Sequence, residues 1–162
     1  MRFFDASALV KRYVREPETA AVRRALASSP VVISRLSEVE VVSALVRLAR
    51  DGHIQARQKD RATLAFLEDL TAWHVVELTP EVTALARSLL SRRTLRAGDA
   101  IQLASALRLQ QMTLVPLDAF VAYDARLVEA AASEGLTGLA YSSRRRLLRA
   151  PGSGRRGKSP RG

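Results

Sequence analysis

Four short apolar segments constrain the fold of this chain more than any other feature. They are residues 2–5 (RFFD), 31–34 (VVIS), 74–78 (HVVEL, the weakest) and 119–123 (AFVAY). Each has the length and composition of a buried strand, and stretches with helical spacing separate them. Residues 8–15 predict a short helix, and residues 17–28 a second with Pro17 and Glu18 in its first turn. Residues 36–50 predict a longer helix, ended by Asp51-Gly52, and 55–71 another. Thr79 and Pro80 open a helix to about residue 91, with Thr79 as N-cap. Asp99 opens one to about residue 110, and Asp124 one to about 134, which Gly135 ends. Strands alternating with helices predict an α/β domain of three layers, α/β/α, around a mostly parallel sheet. The adjacent helices at 36–50 and 55–71 break the alternation and predict a helical hairpin beside the sheet. No internal repeat is present.

With 162 residues the chain is long enough for one domain with a real core. No apolar run approaches the ~18 residues of a membrane span, and MRFFDAS lacks the apolar region of a secretory signal, so a cytoplasmic protein is expected. Cysteine is absent, which excludes disulfides, thiolate nucleophiles and cysteine-bound zinc. The two histidines, His53 and His74, are too few and too far apart for a histidine-rich site. A bound metal would therefore be held by oxygen. The net charge of +10 is unevenly spread, since eight of the 26 basic residues and no acid fall in residues 144–162. The rest is nearly balanced, with 18 basic against 16 acidic residues. Residues 1–143 are thus expected to be the folded domain. Residues 144–162, rich in Gly, Pro, Ser and Arg, are expected to form a disordered basic tail. Such a tail attracts nucleic acid without specificity, or merely aids solubility.

Four acids interrupt apolar surroundings. Asp5 and Asp124 follow strands, Glu40 lies inside SEVEVVSAL, and Asp99 heads DAIQLASAL. Ligands of open parallel sheets bind beyond the carboxyl ends of the strands, where Asp5 and Asp124 belong. Glu40 and Asp99 could converge on the same crevice, with the small Ser37 and Ala44 leaving room around Glu40. Carboxylates brought together repel, and a divalent cation relieves that repulsion. An all-oxygen set suits Mg²⁺ or Mn²⁺, and such ions support phosphodiester hydrolysis. Ser7, two residues after Asp5, could then hydrogen-bond a water or the phosphate. Taken singly, Asp99 and Asp124 read first as helix caps, Asp5 can cap the helix at 8–15 in the same way, and Glu40 can be an exposed residue of an amphipathic helix.

Together these segments resemble a known family. FFDASALVKRYVREPET is similar to the opening of PIN-domain proteins of the VapC toxin type. ISRLSEVEVVSALVRLAR, LRAGDAIQLASAL and FVAYDARLVEAAASEGL resemble its later motifs, with Glu40, Asp99 and Asp124 at the acidic positions. The resemblance spans roughly residues 1–140. It implies a Mg²⁺- or Mn²⁺-dependent endoribonuclease toxin that cleaves RNA by metal-activated water, leaving a 5′-phosphate and a 3′-hydroxyl. Asp5, Glu40, Asp99 and Asp124 would bind the metal, and Ser7 would assist. It further implies a cognate VapB-type antitoxin and, by analogy, a homodimer. Ala122 and Gln102 depart from the threonine and histidine that many members carry.

Three further expectations follow. Arg96 and Lys11 are candidates to hold the RNA backbone. Asp118 ranks below Asp124 as the fourth acid because it precedes its strand. The alternative to an enzyme is a PIN-fold module, catalytically weak, that binds RNA or a protein. A dehalogenase-like phosphatase would need an acid where Ser7 stands, and the acid pair and lysine of a receiver domain are missing.

Overall fold

The computed structural model describes residues 1–140. Five strands form one sheet: β1 (Arg2–Phe4), β2 (Val31–Ser34), β3 (His74–Val76), β4 (Ala119–Ala122) and β5 (Gly138–Ala140), in the order β3-β2-β1-β4-β5. Every pairing is parallel. Seven helices cover it: α1 (Ala6–Tyr13), α2 (Thr19–Ala27), α3 (Leu36–Arg50), α4 (Ala56–Leu70), α5 (Pro80–Arg92), α6 (Ala97–Thr113) and α7 (Ala125–Ser133). The predicted α/β/α architecture is what the chain adopts, including the α3–α4 hairpin.

Apart from Arg2 and Ser34 at two strand ends, the central strands β1, β2 and β4 are apolar, because both faces of the sheet are buried. Side chains alternate across the pleat. Phe3, Val32, Phe120 and Ala122 join the core under α5, α6 and α7. Phe4, Val31, Ile33, Ala119 and Val121 join the core under α1 to α4. Phe3 and Phe120, neighbours across β1 and β4, stack with ring centroids 5.4 Å apart.

Several boundaries differ from expectation, each for a local reason. β5 was not expected, because Gly-Leu-Ala has none of the β-branched or aromatic residues that mark β1 to β4. Asp5 lies beyond β1 and caps α1, which therefore begins at Ala6 rather than residue 8. α2 begins at Thr19, so Glu18 takes its N-cap position, with the carboxylate toward Lys11, and Pro17 lies before the helix. α6 starts at Ala97, so Asp99 stands at its third position and Arg96 takes the N-cap position. Thr79 and Asp124 cap α5 and α7 as expected. The expected domain boundary at 143 and the basic tail fall outside the described residues.

Candidate active site

The chain leaves β1 toward β2 on one side, and β4 returns on the other, so the order reverses between β1 and β4. Strand ends splay apart at such a switch point and open a crevice at their carboxyl ends. The helices that follow β1, β2 and β4 begin at this edge, and their N-termini carry partial positive charge. Acidic side chains placed there are therefore tolerated.

Asp5, Glu40 and Asp99 line one cleft of about 390 Å³, with Ser7, Ala44 and Arg47. Three of the four predicted acids thus meet. Asp124 is not among the lining residues, but its charge acts on Asp99. A larger cavity of about 680 Å³ lies between α1, α2 and α4, and none of these acids lines it.

Each acid is held differently. Asp5 is 6% exposed. Its Oδ2 accepts from the Ser7 backbone N–H at 2.9 Å and from Ser7 Oγ at 2.5 Å. Ser7 Oγ in turn accepts from the Tyr123 N–H at 3.0 Å. The Ser7 hydroxyl thus donates to Asp5 in this structure. Glu40 Oε2 accepts from Gln102 Nε2 at 2.6 Å. Its Oε1 lies so close to Gly98 that a Cβ there would stand 2.5 Å away. Asp99 accepts a long bond, 3.4 Å, from the Arg96 N–H. Asp124 Oδ1 accepts from the N–H groups of Arg126 and Leu127, at 2.8 and 3.4 Å.

Electrostatics link these groups. Burial raises the pKa of Asp5 above the ordinary aspartate range; the Ser7 bonds oppose this and the Asp99 charge adds to it. Burial also raises Glu40, opposed by the Gln102 bond and reinforced by the charges of Asp5 and Asp99. Asp99 is raised by burial, opposed by the Arg96 N–H and reinforced by the Asp124 charge. Among the described residues, no ion pair involves Asp5, Glu40 or Asp99. This donor set is all oxygen, mutually repelling and neutralised by no ion pair, although Arg47 lines the cleft and the charges of Arg96 and Arg126 act on Asp99; a hard divalent ion complements such a set. No three histidine or acidic groups among the described residues stand close enough to hold one ion directly. Mg²⁺ tolerates that, since it needs one or two carboxylates and keeps several waters.

Other expectations shift. Lys11 pairs with Glu16 and Glu18 and lies over the Tyr123 ring, so it is not a free cation at the rim. Arg96 is exposed at the start of α6. Arg47 lines the cleft and was missed, although it stands seven residues after Glu40 on the same helical face. Ser37 does not leave space for Glu40, because it is buried and bonded to Gln102, whereas Ala44 does line the cleft. Asp118 sits at the opposite strand end, where it pairs with the N-terminal amine at 2.8 Å.

An α/β domain whose switch point carries an acidic crevice defines the class of protein, and the comparisons specify it. Residues 2–133 match the PIN domain family. Ribonuclease VapC46 of Mycobacterium tuberculosis is 38% identical over 141 residues, covering 86% of this chain and 97% of the relative. The crystal structure of M. tuberculosis VapC20, a sarcin–ricin loop cleaving toxin, matches with TM-score 0.60 at 20% identity, over 84% of this chain and 96% of that one. A toxin–antitoxin complex from Klebsiella pneumoniae matches with TM-score 0.51 at 20% identity, over 76% and 87%. The chain belongs to the PIN-domain family.

Proposed function

We propose that this chain is a metal-dependent endoribonuclease toxin of a toxin–antitoxin pair. The observation that carries the reading is the convergence of Asp5, Glu40 and Asp99 on one cleft, with no ion pair to any of them among the described residues. The similarity to a ribonuclease over 86% of the chain supports it.

Asp5, Glu40 and Asp99 would hold Mg²⁺ or Mn²⁺ directly or through water, with Asp124 beside Asp99. When bound, the ion would lower the pKa of a coordinated water and neutralise charge on the scissile phosphate. Ser7 fixes the Asp5 carboxylate through the short Oγ bond. Arg47, on the cleft wall, is placed to meet a backbone phosphate, and Arg96 and Arg126 stand near Asp99. The acid-lined cleft also invites a basic side chain in place of metal. The antitoxin is therefore proposed to insert an Arg or Lys near Glu40 and Asp99. A homodimer is proposed from the family resemblance alone. No helix of the described residues is long and apolar enough to cross a membrane.

The test is RNA cleavage by the purified protein with and without Mg²⁺. Cleavage should need the ion and disappear in Asp5→Asn and Asp99→Asn; full activity in those variants would sink the mechanism. A second reading, a PIN-fold module that binds without cleaving, draws on the absence of a ready three-ligand cluster among the described residues. Calorimetry with Mn²⁺ separates the two. RNA binding without metal binding would favour the module.

A further inference from the structure

Glu40 is the only one of the three cleft acids whose backbone lies beyond the first turn of its helix, and a glutamate has more rotatable bonds than an aspartate. Something must choose its rotamer. Two residues of α6, four apart and so on one helical face, meet it. Gln102, fully buried, donates Nε2 to Glu40 Oε2 at 2.6 Å and to Ser37 Oγ at 2.9 Å. Ser37, also fully buried and three residues before Glu40 on α3, donates back to Gln102 Oε1 at 3.3 Å. The Glu40 carboxylate, which accepts, holds the amide with its donor side toward it, while the Ser37 hydroxyl contacts both ends of the amide. On the other oxygen, Gly98 leaves the space that Oε1 occupies, since a Cβ there would stand 2.5 Å away.

We propose that Gln102 and Gly98 are positioning residues that set where the Glu40 carboxylate stands in the cleft. One oxygen is drawn by a buried amide while the other rests against a bare Cα. A glycine inside a helix destabilises it relative to alanine. At Gly98 the close approach of Glu40 accounts for it, because alanine would drive the flexible carboxylate away while leaving the backbone in place. The proposal rests on the metal-site reading above, with Glu40 as a ligand.

The experiment titrates Mn²⁺ into the purified full chain by calorimetry and records thermal unfolding of every variant. Glu40→Gln should weaken Mn²⁺ binding. Gln102→Leu, which keeps volume but removes the donor, and Gly98→Ala should each weaken it by roughly 10-fold or more, the usual scale for groups that orient a ligand. Gly98→Ala should melt no lower than wild type, so that its loss of affinity is not fold damage. In the Glu40→Gln background, Gln102→Leu should add little, because both changes remove the same interaction. If wild type binds Mn²⁺ and both single variants bind as tightly, the positioning role is overturned while the metal reading stands. An equal loss from Gln102→Leu with and without Glu40 overturns it too, since the effect would not run through Glu40. Should Gln102→Leu fail to fold, Gly98→Ala decides alone. A wild type that binds no Mn²⁺ overturns both the metal reading and the positioning role.

Discussion

At Asp5 a carboxylate 6% exposed accepts two bonds from Ser7 and feels the negative charge of Asp99, and its pKa lies above the ordinary range. Asp99 and Glu40 share that direction. An acid whose folded pKa is raised binds more protons folded than unfolded between the two values. Its contribution therefore becomes less favourable as pH rises through that window from about 4, and stays so above it. Asp5→Asn and Asp99→Asn should accordingly raise the metal-free Tm at pH 7 while abolishing cleavage. The expected rise is about 2–4 °C per kcal/mol of repulsion relieved. Calorimetric scans against pH should show this difference from wild type shrinking as pH falls through the raised folded pKa toward about 4, and lost below it. Reading it as a difference matters, since Glu134 is shifted down by Arg92 and Arg93 and has the opposite sign. Ser7→Ala should cost about 1.5–3 kcal/mol in denaturant unfolding, the worth of a hydrogen bond to a charged group, and should lower kcat as Asp5 loosens. In the sequence, Asp5 was readable both as a helix cap and as a member of an acid cluster, and the structure makes it both. Ser7 was readable only as a hydroxyl in the right neighbourhood, because its partner, the Tyr123 N–H, lies 116 residues away.

The helices carry the acids at or near their starts, so capping and chemistry overlap at the scale of the element. Asp124 caps α7 with two backbone bonds. Asp124→Ala should cost about 1 kcal/mol by loss of the cap, whereas Asp124→Asn should cost only a few tenths. If the charge serves catalysis, the asparagine variant should still lose most RNA cleavage, which activity and urea unfolding together can resolve. At the other end of α6, Leu114 ends the helix with φ of 55°, a left-handed conformation, and is 86% exposed. Leu114→Gly should stabilise the fold by about 0.5–1 kcal/mol, because glycine adopts that backbone without steric cost. Helix α3 was legible to the residue, since its apolar spacing and the Asp51-Gly52 stop act locally. The start of α6 was not, because Asp99 suits the N-cap and the third position equally well, and backbone geometry rather than residue type separates them. Pro17 misled in a similar way, as Glu18 takes the N-cap position and leaves Pro17 before the helix, a boundary that residue type does not specify.

Across the whole molecule, the repulsion in the cleft should make folding sensitive to divalent ions. Adding Mg²⁺ at about 100 times its Kd should stabilise the chain by about 2.7 kcal/mol. A thermal-shift titration should show this, and Asp99→Asn should lose most of the shift. The alternation of strands and helices, the apolar character of the buried strands, and the acids at Asp5, Glu40, Asp99 and Asp124 are all legible in the amino-acid order alone. These depend on periodicity and local chemistry, which are written along the chain. Packing brings Asp5, Glu40 and Asp99 into one cleft and leaves Asp124 beside it. It also sets the Ser7 hydroxyl between Asp5 and the Tyr123 N–H, and Gln102 and Gly98 on either side of the Glu40 carboxylate. Those facts depend on the strand order β3-β2-β1-β4-β5 and on how closely α3 and α6 approach. Both are set by packing between residues far apart in sequence, about which no local pattern carries information.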